Sequence, residues 1–127
     1  MKDIWKNRHN NLEKIASIQK NFGYVLFESN IIESKEELSW GDFKKYIKDL
    51  DEISNPKTGD IIIWEQKDFP NVIKYAGIFL DEDKILNNEY GEPVISSISE
   101  ILEKYPCFHK DIFDNDPVDM KYFRARR

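Results

Sequence analysis

The hydrophobic period of this chain changes at its midpoint, and that change constrains the fold more than any other feature. Up to Leu50 the apolar residues recur at helical spacing. After the turn cluster Ser54-Asn55-Pro56-Lys57-Thr58-Gly59-Asp60 the apolar runs become short and β-branched. Ile61-Ile62-Ile63-Trp64-Glu65 reads as a buried strand and Asn71 to Leu80 as a second. Asp81-Glu82-Asp83-Lys84 turns that strand back, Ile85 to Asn88 pairs with it, and Val94-Ile95-Ser96 extends the sheet. Ser97 or Ser99 opens a short helix through Lys104, with Ile98, Ile101 and Leu102 inward, and Met120 to Arg124 reads as a last strand. Consecutive strands joined by short turns pair antiparallel. The expectation is therefore an α+β domain with N-terminal helices followed by a small antiparallel sheet.

In the first half, residues 11–20 carry Leu12, Ile15, Ala16 and Ile18 or Gln19 near helical spacing, with Asn10 or Asn11 as cap. Asn21 to Phe27 is so apolar that periodicity does not separate buried helix from strand. Ser34-Lys35-Glu36-Glu37 has the form of a capping box. Leu38, Trp40, Phe43, Tyr46, Ile47 and Leu50 then supply one apolar face, and Gly41 is a point where this helix could divide in two.

At 127 residues, 40% hydrophobic and 13% aromatic, the chain has the size and apolar content of one folded domain. The expected division is an N-terminal helical extension over 1–20 and a core over 20–125. Net charge is −5, which argues against a nucleic-acid role and suits a basic protein partner. No apolar run reaches the roughly 18 residues of a membrane helix. The N-terminal residues lack the apolar core of a signal peptide, so a cytoplasmic location is expected. A single cysteine, Cys107, implies no internal disulfide. With His9 and His109 as the two histidines, no clustered metal-ligand spacing arises, and neither metal nor cofactor is expected.

The order of these signals resembles the NlpC/P60 class of papain-like domains. Pro56 to Trp64 looks like that family's PxxGD strand, and Tyr75-Ala76-Gly77-Ile78-Phe79-Leu80 looks like its HAGIYL strand. Glu92 to Ile95 with the helix over 98–105 is similar to the closing segment, and Lys121 to Arg124 to the final strand. Asn21 to Phe27 resembles the helix that carries the nucleophile. The resemblance covers residues 20–125. It implies a thiol, an imidazole base and a third polar group that orients the imidazole. Carried onto this sequence, the nucleophile position falls on Phe22, or on Asn21 with a slip of one. The base position falls on Tyr75 and the orienting position on Asn87. Phenylalanine is no nucleophile, and tyrosine, with a reference pKa of about 10, is a poor base. The resemblance then implies a catalytically inactive scaffold, its cleft filled by Phe22, Tyr75 and Tyr24, reused for binding.

The expected function is that of an immunity protein that binds and neutralises a basic bacterial toxin. Its acidic binding edge would comprise Asp81, Glu82, Asp83, Glu89 and Glu92, with Tyr90 beside them and Trp5 or Trp40 as further anchors. The competing expectations are a cysteine hydrolase or amidase whose site has moved, with Cys107 and His109 as its candidates, and a non-enzymatic structural or regulatory subunit.

Overall fold

A computed structural model describes residues 16–66, 72–89, 91–104 and 118–125. Helix α1 covers 16–28, α2 is Trp40–Ile47 and α3 is Ile98–Lys104. The strands are β1 (Asp51–Ile53), β2 (Ile61–Gln66), β3 (Ile73–Asp81), β4 (Lys84–Glu89), β5 (Glu92–Ser97) and β6 (Val118–Arg124). Among the described residues these six form one antiparallel sheet in the order β1-β6-β2-β3-β4-β5. The expected α+β architecture is thus present, with helices first and the sheet after. The tract 21–27, ambiguous by periodicity, is helical, and α1 runs through position 20 without a break. The leading part of the helix read from residue 11, with Leu12 and Ile15, lies outside the described residues.

Period-two alternation sorts the strand residues into two cores. Ile61, Ile63, Ala76, Ile78 and Phe123 join Phe22, Val25, Leu26, Phe43 and Ile47 under α1 and α2. Ile62, Trp64, Tyr75 and Ile85 join Ile101 of α3 on the other face. Because both faces are covered, every residue of β2 is buried. That explains its continuous apolar run where a half-exposed antiparallel strand would alternate. Each aliphatic side chain so buried stabilises the fold by about 1.5–3 kcal/mol. Glu65, buried at the end of β2, is matched by the ammonium of Lys121 at 2.8 Å and that of Lys44 at 3.8 Å. The bond to Glu65 raises the pKa of Lys121 and keeps it charged.

The region after α1 differs from the sequence expectation. Residues 35–39 form no helix, so Ser34 caps none, and α2 is an undivided eight-residue helix capped by Ser39, whose Oγ accepts from Asp42 N at 3.2 Å. Gly41 sits in its first turn. The competing interaction is tertiary. Leu38 N donates to the Gln19 carbonyl of α1 at 3.1 Å, and the Glu36 backbone lies directly on Gly23. Docking the strap on α1 buries Leu38, which an earlier helix start would not do in this position. Downstream, the expected short helix starts at Ile98, and Ser97 is its cap. Ser97 Oγ accepts from Glu100 N at 3.1 Å, and Glu100 Oε1 accepts from Ser97 N at 3.4 Å, a reciprocal capping box. Strand β1, which pairs with β6, lies in a stretch that carried no strand signal.

Candidate functional site

Tyr75 and Asn87 occupy neighbouring strands on the α3 face of the sheet. The Tyr75 hydroxyl donates to Asn87 Oδ1 at 3.2 Å, and both residues are fully buried. Trp64 packs against the Tyr75 ring with centroids 5.9 Å apart. Asn87 Nδ2 finds no hydrogen-bond partner among the described residues. A phenol that donates its proton to an amide oxygen holds two strands together.

Phe22 is not part of this constellation. It is buried under α2, stacked on Phe43 with centroids 4.7 Å apart, in the core on the opposite face of the sheet. Tyr24 is also buried, and burial together with the charge of Glu28 raises its pKa. The three aromatics expected to fill one cleft therefore fill core positions instead, and Phe22 and Tyr75 do so on different sides of the sheet.

Asn21, named by the slipped register, is the residue of α1 that reaches the strands. Its Nδ2 donates to Ala76 O of β3 at 2.7 Å, and its Oδ1 accepts from Asn88 N of β4 at 2.8 Å. The side-chain amide thus stands in for a peptide group where the β3–β4 ladder lapses. Asn88 Oδ1 in turn accepts from Gly91 N at 3.0 Å and closes the β4–β5 turn.

An opening of about 790 Å³ lies at the other end of α1, between its last turn and the 57–60 turn. Asp60, buried at its base, accepts from Arg124 Nε and Nη2 at 2.9 and 2.7 Å and from Lys57 N at 2.7 Å. Gly59, at φ +98°, lets the chain fold over this carboxylate. Burial opposes ionisation of Asp60, but the Arg124 guanidinium and the Lys57 N–H outweigh it and hold the carboxyl below its ordinary range. Asp60 therefore stays ionised in the fold at a pH where the unfolded chain already binds a proton. Its stabilisation is complete above the unfolded value of about 3.9 and is lost as pH falls through the lower folded value. Asp60→Asn should lower stability at pH 7, since Arg124 and the Lys57 N–H then lose their carboxylate acceptor. Melting temperatures taken between pH 2 and 7 should fall less steeply on the acid side for Asp60→Asn than for the native chain. Parallel curves would show that Asp60 is not the group responsible.

The expected binding residues lie at both ends of β4. Asp81, Glu82 and Asp83 are exposed in the β3–β4 turn, where Asp81 Oδ1 accepts from Asp83 N and Lys84 N at 3.1 and 3.2 Å. Glu89 and Glu92 face each other across the β4–β5 turn, roughly 17 Å away along the strand. Tyr90, Cys107, His109, His9 and Trp5 lie outside the described residues. Trp40 is 38% exposed. One property of this edge escapes a search for short clusters. Residues 81–100 contain six acids and one base, while the rest of the chain holds 18 of each, so the whole net charge of −5 resides in this one segment. Counting charge over a 20-residue window would have found it.

Among the described residues no group of three or more histidine, cysteine or acidic side chains could hold a metal ion, and no helix is long and apolar enough to cross a membrane. The fold and its centre define an α+β domain with a six-stranded antiparallel sheet clamped by buried amides. The chain matches no family model, no curated protein and no solved structure.

Proposed function

We propose that this chain is a catalytically inactive papain-like domain of NlpC/P60 type that binds and neutralises a cognate toxin in the same cytoplasm. The observation that carries the binding role is the confinement of the entire net charge to residues 81–100, which form the β4–β5 edge and the start of α3. A field of one sign on one edge accelerates docking of an oppositely charged protein and repels wrong partners. Many toxins act on nucleic acids and carry basic active sites that such an edge would cover. The inactive reading is supported by Tyr75 and Asn87, which stand at the base and orienting positions of the resemblance, are fully buried, and bond to each other through the Tyr75 hydroxyl and Asn87 Oδ1. Phe22, at the nucleophile position, is a core residue.

The test is calorimetric titration of the full chain with the purified product of the adjacent reading frame. The expected result is one-to-one binding with nanomolar Kd, weakened by added salt and unchanged by Cys107→Ala. Thiol-dependent hydrolysis of a peptide or amide panel, abolished by Cys107→Ala, would overturn the proposal in favour of a relocated cysteine hydrolase.

A further inference from the structure

We infer that the β4–β5 edge recognises its partner by side-chain docking centred on Ile95, and that strand addition is closed to it; the inference rests on the proposed binding role and specifies its mode. The backbone supplies the first half of the argument. The β4–β5 hairpin has a two-residue turn, so Glu89 and Glu92 form a hydrogen-bonded pair, and bonded and non-bonded pairs alternate from there. Asn88–Pro93, Leu86–Ile95 and Lys84–Ser97 are then the non-bonded pairs. Two bonds agree with this phase. Asn88 N turns away from β5 to Asn21, and Ser97 N is taken by Glu100 Oε1. The backbone groups on the free edge of β5 are consequently those of Pro93, Ile95 and Ser97. Pro93 has no N–H, and the Ser97 N–H is already bound, which leaves Ile95, among the described residues, as the single free-edge donor. An added strand requires a row of donors, and a proline with a capped terminus removes that row.

Side chains supply the second half. Ile95 is 61% exposed, the most exposed large apolar side chain among the described residues. Alternation puts the exposed Pro93 on the same face, and Leu86 opposite Ile95 is half-buried. One exposed isoleucine on a neutral surface would be ordinary. This one lies within the segment that holds the whole net charge: the acidic turn Asp81, Glu82 and Asp83 precedes its strand pair, Glu89, Glu92 and the Glu100 helix lie toward the opposite face, and Lys84 shares its face. An exposed apolar side chain at the edge of an acidic segment suits an interface with a basic protein. The occupant that fits is a protein surface rich in lysine and arginine with a small apolar pocket. A second copy of this chain would bring a net −5 against a net −5, and a nucleic acid would add its own negative charge.

The experiment measures binding of the purified adjacent-frame product to the full chain and to three variants, by calorimetry and stopped flow. Ile95→Asp should raise Kd at least 30-fold, mainly through faster dissociation. Its unfolding midpoint should stay at the native value, because the side chain contributes little to the core. Neutralising Asp81, Glu82 and Asp83 to the amides should slow association three- to tenfold at low salt and flatten the salt dependence. Pro93→Val, which restores an edge N–H, should leave Kd unchanged. Native affinity in Ile95→Asp, or tenfold tighter binding in Pro93→Val, would overturn the inference while leaving a binding function intact. No binding of the native chain at 100 µM would overturn the proposed function itself, and this surface with it.

Discussion

Gly23→Ala lowers the stability of this protein, although helix propensity alone would raise it. Gly23 lies in the interior of α1, where alanine is favoured over glycine by about 1 kcal/mol. A β-carbon built there falls 1.5 Å from the Glu36 carbonyl oxygen and 2.6 Å from its carbon. Both are backbone atoms, so relief requires moving the 35–39 strap by more than 1 Å, together with the Leu38 N bond to Gln19 O and the buried Leu38 side chain. Overpacking of this kind costs about 1–3 kcal/mol and occasionally more, and here the contact is backbone against backbone. The steric effect wins, and the expected net loss is about 3 kcal/mol, read from the urea midpoint at constant slope. Gly41→Ala is the matched control. The nearest atom to its added carbon is Ser39 Oγ at 3.9 Å, so propensity acts unopposed and should raise stability by about 0.5–1 kcal/mol. Equal effects at the two glycines would mean that the strap does not lie on α1 as described.

Replacing Asn21 has an effect of similar size for a different reason. Asn21→Ala removes the only amide that satisfies Ala76 O and Asn88 N in the described structure, and both bonds are buried. Each orphaned buried group costs about 1–3 kcal/mol, so a loss of about 2–5 kcal/mol is expected. Asn21→Asp separates the two bonds. A carboxylate still accepts from Asn88 N but faces the Ala76 carbonyl with no proton to give. Burial then favours the protonated form, which raises the folded pKa of the introduced group above its unfolded value of about 3.9. The penalty should therefore be largest at neutral pH and should shrink as pH falls through the raised folded value, the reverse of the trend at Asp60. Chemical denaturation of the native, alanine and aspartate forms at pH 5 and pH 8 checks this. An aspartate form whose deficit is the same at both would show that Asn21 does not bridge the strands through both atoms.

These two sites also mark where the sequence stops being readable. Asn21 and Gly23 sit within an apolar tract whose period was silent on helix or strand, and their partners are 55, 67 and 13 residues away. Nothing local distinguishes an asparagine that clamps two strands from one that caps a helix. The Ser34 capping box failed for a related reason. A local hydrogen-bond pattern worth about 1 kcal/mol lost to a strap that buries Leu38 against α1. The same pattern at Ser97–Glu100 held because no competing contact draws that segment away.

What the sequence determined by itself was the division into a helical half and a sheet half, the positions of β2 to β6 and of α3, and the turn over 54–60. Those signals are short-ranged: β-branched runs, proline and glycine punctuation, and apolar residues that must leave water together. It also contained, unread, the concentration of all net charge into residues 81–100. Only the tertiary structure decided which residues share a face. A strand's side chains alternate with a period of two, so Tyr75 meets Asn87 and Trp64 while Phe22 is sent to the other core, whatever their spacing in a motif. It alone placed a buried carboxylate at Glu65 between Lys121 and Lys44, and another at Asp60 under Arg124, since those neighbours come from strands and helices distant in sequence. The edge position of β5 among the described strands is likewise a tertiary fact, because only the sheet order decides which strand has a single neighbour.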